Sequence, residues 1–163
     1  MSGSDALVST ALTLPVVIPL LTAIAVLFAG ERRLAQTAVS LVGAVANLAG
    51  AVWILALVME HGIIVSQLGE WPAPFGISWA ADRLSAVMLL LAAIVGGTGA
   101  MFSIAALEGR EKLERFLPLL QLMIAGMGGF FVTADVFNFY VWFELILVAS
   151  FGLMVLGGRR QEL

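Results

Sequence analysis

The sequence predicts an all-α, polytopic bundle of about five transmembrane helices. Hydrophobic residues make up 61% of the 163 and charged ones 12%, with mean hydropathy +1.07. Soluble domains are nearer half apolar and a quarter charged. The charges also gather in short clusters, and each apolar run between them is long enough to cross a bilayer core as a helix. The formal net charge of −3 therefore says little about partners.

Several function classes drop out at once. No cysteine is present, so disulfides, iron–sulfur clusters and Cys-ligated metals are excluded within this chain. His61 is the single histidine and cannot build a metal site alone. The glycines form no nucleotide-binding loop, and no basic tract suits nucleic acid. No cofactor is expected.

The first residues, Met1 to Asp5, carry no Lys or Arg, unlike the basic start of a secretory signal. The first helix, about Ala11 to Ala29, is therefore expected to stay in place. Pro15 and Pro19 should kink or loosen its first half. Glu31-Arg32-Arg33 ends it. A second span runs from about Ala35 to Met59, with Asn47 as its strongly polar interior residue. Ala46 and Gly50 have the small-xxx-small spacing that admits a neighbouring helix, and Asn47 is expected to hydrogen-bond across helices.

From Glu60 to Trp79 the character changes. Two prolines and two flanking glycines in Gly69-Glu70-Trp71-Pro72-Ala73-Pro74-Phe75-Gly76 break any helix. The segment reads as a loop outside the cytoplasm with some extended structure. Trp71 and Trp79 suit the headgroup region, and His61 reads as an interfacial loop histidine.

Asp82 opens the third span, to about Ala106, as an N-cap. Gly96, Gly97, Gly99 and Ala100 thin one of its faces for packing. A charged loop follows from Glu108 to Arg115. The fourth span covers about Phe116 to Val132, with Pro118 tolerated in its first turn and Gln121 nearby. Gly126, Gly128 and Gly129 lower its stiffness. Thr133-Ala134-Asp135 is so short a link that the fourth and fifth helices must form an antiparallel hairpin, with Asp135 capping the fifth.

The fifth span, Val136 to Leu156, carries one formal charge, Glu144, within roughly 3 Å of its middle. A charge at that depth costs a few kcal/mol, and packing alone would be served as well by Leu or Met. Glu144 is therefore the candidate functional residue. The eight Lys and Arg residues all lie at span ends or in loops, so none stands beside it. Burial disfavours the charged form of a carboxyl and a neighbouring cation favours it. A carboxyl held between those influences can load and release a proton. The competing reading is a neutral glutamic acid that only fixes a helix contact.

Lys and Arg at 32–33, 110–115 and 159–160 fall on one side, and the other side has Arg83 alone. The positive-inside rule then puts the C-terminus in the cytoplasm and the N-terminus outside. A cysteine placed at Gln161 should resist an impermeant thiol reagent in intact cells and react in inverted vesicles. Labelling from outside intact cells would reverse the assignment.

Asp135-Val136-Phe137-Asn138-Phe139-Tyr140-Val141-Trp142-Phe143-Glu144, then Ala149-Ser150-Phe151-Gly152-Leu153 and Gly157-Gly158, closely resembles the D-type subunits of the Mrp-type multisubunit sodium/proton antiporters. That family is similar to the antiporter-like membrane subunits of complex I and of membrane-bound hydrogenases. Trp71-Pro72-Ala73-Pro74-Phe75-Gly76-Ile77 and Asp82-Arg83-Leu84-Ser85 also look like it. The resemblance covers essentially the whole chain and implies a multi-pass subunit of the cell membrane that exchanges a monovalent cation for protons. It implies that Glu144 takes part in proton translocation, paired with a lysine on a later helix. Asp135, Asn138 and Tyr140 are candidate supporting residues. The family's later helices and the second of its inverted repeats have no counterpart in these 163 residues. The implied partners are other membrane subunits, one of them supplying the cation for Glu144, and the lipid bilayer. Two other readings stay open: a proton-pumping membrane subunit of a complex I-like oxidoreductase or hydrogenase, and a structural or assembly subunit without a transport role.

Overall fold

The computed structural model describes residues 3–30, 32–68, 76–107 and 110–158. In chain order they form α1 (Gly3–Phe28), α2 (Arg33–His61), β1 (Ile64–Leu68), β2 (Ile77–Ala81), α3 (Arg83–Ala106), α4 (Arg110–Val132) and α5 (Val136–Gly158). Each of the five helices contains a stretch long and apolar enough to cross a membrane. The readings placed on Glu31, on Trp71 with its surrounding loop, and on the arginines at 159–160 lie outside the described residues.

Helices α1 to α4 close into a ring, α1 on α2, α2 on α3, α3 on α4 and α4 back on α1. Helix α5 stands outside the ring and packs on α4. One apolar core fills the ring at the hairpin end, around Leu12, Ile54, Val58, Leu89 and Val132. A second, around Val26, Leu113 and Leu117, lies toward the other end.

Helix α4 begins at Arg110, inside the segment expected to be a charged loop. Glu, Lys, Arg and Leu are good helix formers. The charged residues extend the helix past the apolar run, and Leu113, 1% exposed, anchors that extra turn in the core. Helix α1 likewise starts at Gly3 rather than near Ala11, and it stays helical through Pro15 and Pro19. Asp82 caps α3: its Oδ1 accepts from the Ser85 N–H at 2.8 Å. That backbone bond holds the Asp82 carboxyl below its ordinary value of 3.8. The cap is thus intact at neutral pH and is lost as pH falls through the lowered value.

The loop between α2 and α3 holds an antiparallel hairpin, which the sequence had shown only as some extended structure. Ile64 pairs with Ala81, Ser66 with Trp79 and Leu68 with Ile77. Gly62, with φ 79°, makes the turn out of α2 in a conformation that favours glycine. Trp79 departs from its expected place in the headgroup region. It is 5% exposed and packs in the ring's core, because β2 lies across the end of the bundle. The same strand holds the turn between α4 and α5: Trp79 bridges to Thr133, and the Ala134 N–H donates to the Ser78 carbonyl at 2.9 Å. His61 is the last residue of α2 and is exposed, with Nδ1 3.2 Å from the Leu57 carbonyl.

Helix contacts are set by glycines that face a neighbour. A Cβ on Gly43 would enter Thr22 of α1, and one on Gly96 would stand 2.6 Å from Ile124 of α4. At Gly50 a Cβ would make only an ordinary contact, 3.5 Å from Leu14. The tight seam of α1 and α2 is therefore at Gly43, three residues before the expected Ala46. Gly99, expected on a packing face, meets open space.

Candidate functional site

Helix α5 starts from a cap that the sequence anticipates. The Asn138 N–H donates to Asp135 Oδ1 at 2.7 Å, and the Asn138 side-chain amide donates to Oδ2 at 3.2 Å. The Phe139 N–H bonds back to the Asp135 carbonyl at 3.0 Å, closing the first turn. Asp135 and Asn138 thus serve each other and the helix start.

One face of α5 is seated on α4. A Cβ on Gly129 would enter the Trp142 ring, and a Cβ on Gly126 would stand 2.8 Å from Ile146. A Cβ on Gly152 of α5 would stand 3.0 Å from Leu119, and Ala149 is 1% exposed. Gly126 and Gly129 of α4 thus allow close approach of the two helices. Asn138 is buried on this side. So is Trp142 Nε1, which has no hydrogen-bond partner.

Glu144 is on the opposite face and is exposed. Phe137, Val141, Val148, Phe151 and Val155 continue the same stripe and are also exposed. Their alternating spacing of four and three residues keeps them on one side of the helix. Only a small part of α5's membrane-spanning stretch is covered by the rest of the chain, the least of the five helices.

Among the candidate residues, Tyr140 alone joins Glu144. Its hydroxyl, one turn earlier, lies on the same side of the helix and within electrostatic reach of the Glu144 carboxylate. Asp135 and Asn138 are nearer the helix start, Asp135 roughly 13 Å away along the axis. Among the described residues no Lys or Arg side chain stands beside Glu144. In the antiparallel pair of α4 and α5, where Gly129 meets Trp142 and Gly126 meets Ile146, the residue level with Glu144 is close to Met127, and Arg115 lies roughly 18 Å further on. No group of three or more potential metal ligands occurs among the described residues. The arrangement is an acidic group with one hydroxyl neighbour, at mid-span, on a face that the described residues leave uncovered.

Sequence reasoning missed the seat of Trp142 on Gly129 and the true surroundings of Asn47. The signal for the first was the pair Gly126 and Gly129 opposite large α5 side chains across a very short link. Asn47, expected to bond across helices, is 9% exposed and has no hydrogen-bonded side-chain partner among the described residues.

No family model matches the chain. It is 36% identical over 151 residues to the sodium/proton antiporter D subunit of Alkalihalophilus pseudofirmus, covering 92% of this chain and 30% of that protein. It is 36% identical over 156 residues to the probable potassium/proton antiporter D subunit of Rhizobium meliloti, covering 90% of this chain and 28% of that one. Among solved structures, a chain of the Mrp complex from a Dietzia species superposes with a TM-score of 0.81 at 32% identity, over 94% of this chain and 28% of the other. The chain thus spans about 30% of the length of the curated relatives it matches.

Proposed function

We propose, on the premise that the chain belongs to the D-subunit family of Mrp-type multisubunit antiporters over the N-terminal part of its members, that it is an ion-transporting membrane subunit rather than an enzyme. It works within a larger membrane assembly that exchanges a monovalent cation for protons. Glu144 carries protons in that exchange, with Tyr140 holding its carboxylate in place and Asp135 and Asn138 fixing the start of its helix. The observation that carries this reading is the position of Glu144: a carboxyl at mid-span, exposed on the uncovered face of α5, with every Lys and Arg of the chain at span ends or in loops.

A carboxyl at this depth needs a counter-charge or a hydrated path before it can ionise. In this reading a helix from elsewhere in the assembly lies on that face and brings the cation. The hairpin end then faces outward and the ends rich in Lys and Arg face the cytoplasm. The relatives named for sodium and for potassium leave the exchanged ion open to measurement.

The 163-residue chain reconstituted alone in liposomes should show no sodium- or potassium-driven proton flux, while the assembly isolated in mild detergent should show it. Antiport by the chain alone would overturn the need for a second helix on that face. An assembly containing the chain but exchanging no ions would overturn the transport reading itself.

A further inference from the structure

Asn47 is the middle residue of α2, which runs from Arg33 to His61, so it stands near the centre of the span. It is the innermost polar member of a column on the buried face of α2, after Gln36 and Ser40, with Gly43 and Gly50 continuing the spacing. Gln36 donates to the Gly30 carbonyl at 2.6 Å, and Ser40 accepts from Gln121 at 3.4 Å. Asn47 has no such partner for its side chain among the described residues. An amide buried in this way costs free energy unless something satisfies it.

Asn47 faces a void where all four ring helices meet. Pro15 of α1, Ala51 of α2, Leu89 and Ala92 of α3, and Ile124 and Gly128 of α4 complete its lining. A second polar group is there too. The carbonyl of Pro15 would ordinarily accept from the N–H of residue 19, but residue 19 is proline and has none. That carbonyl points at α4, where a Cβ on Gly128 would enter it. A backbone acceptor without its usual donor and an amide without a partner therefore share one small space.

The void is small, about 10 Å³. One water needs roughly 10–15 Å³ of such space, and two to four polar partners. We propose that it binds a single water molecule, which bridges the Asn47 amide and the Pro15 carbonyl. The amide offers both a donor and an acceptor, and the carbonyl offers an acceptor. No residue of the lining carries a charge, so the site suits a neutral ligand and not an ion. The bound water replaces the hydrogen bond that Pro19 removes from α1, and it ties α1 to α2 at the middle of the membrane. This inference stands apart from the role of Glu144, which lies outside the ring.

The test is radiolytic hydroxyl-radical labelling of the detergent-purified chain, read residue by residue by mass spectrometry after exchange into oxygen-18 water. Radicals generated at a bound water label its neighbours even where bulk solvent does not reach. Leu89 and Ile124, 3% and 4% exposed, should take up oxygen, and the label should exchange slowly. Asn47→Leu removes the amide and fills the void; Ala92→Val fills it and leaves the amide. Either variant should lose labelling at both residues, while Met101, 62% exposed, keeps its own as a dose control. An unlabelled Leu89 and Ile124 in the wild-type chain, or labelling that persists in both variants, would overturn the site. Ala92→Val keeps the test valid if Asn47→Leu does not fold.

Discussion

Replacing Glu144 with glutamine should leave the assembly intact and reduce its ion exchange by on the order of a hundredfold, the scale on which a positioned proton-transfer group contributes. Glutamine keeps the size and hydrogen-bonding capacity of the side chain but does not titrate. Tyr140 keeps a polar neighbour of the same size, so the α5 face keeps its shape. Glu144→Asp should retain part of the activity, since the acid survives one methylene shorter. Glu144→Ala is less informative, because it also takes away the polar neighbour of Tyr140. If Glu144 only fixed a helix contact, the pattern would reverse: glutamine would be tolerated and aspartate would fail for lack of reach. Proton flux across inverted vesicles is the measurement, with a blot for the assembled complex beside it. Wild-type flux in the glutamine variant would remove Glu144 from the mechanism and favour the scaffold reading.

Gly128→Ala should destabilise the packing of α1 against α4. The new Cβ would enter the backbone carbonyl of Pro15, and backbone cannot swing aside as a side-chain tip can. The helices α1 and α4 must then separate, at a cost of about 1–3 kcal/mol for an overpacked core and more if the shift spreads. Gly99→Ala is the matched control, because nothing lies within contact distance of the methyl it adds. The measurement is the midpoint of thermal unfolding in detergent for the two variants. Equal midpoints would mean that α1 and α4 do not pack as described.

Much of this architecture is legible in the sequence for a simple reason. In a membrane the backbone must satisfy its own hydrogen bonds, so long apolar runs have almost no choice but the helix. Five runs separated by charges therefore announce five spans. Asp82 and Asp135 announce two helix starts, since a short carboxylate before an apolar run matches the free N–H groups of a first turn. Glu144 stands out because its cost is paid locally, residue by residue, without reference to any neighbour.

Helix boundaries were less legible where charge and helix propensity disagree. The segment 110–115 is too charged for the bilayer yet made of helix formers, and the burial of Leu113 extends the helix through it. Trp79 looked interfacial by type, but its burial depends on the hairpin folding over the bundle's end. Composition cannot report that a strand will bond to the turn between two distant helices.

The one-dimensional pattern of this chain determined its class, its spans and the presence of an acid in the middle of its fifth apolar run, because each depends on the transfer of local groups from water to lipid. Which face each residue presents depends on which helices meet, and that followed only from packing in three dimensions. Close approach at Gly43, Gly96 and Gly128 joins the ring of four, while Gly129 seats α5 against its outside. The same packing turned Asn47 toward a void beside the Pro15 carbonyl and Glu144 away from the bundle onto an open face. Close packing involves both partners at once, and neither segment's sequence contains the other.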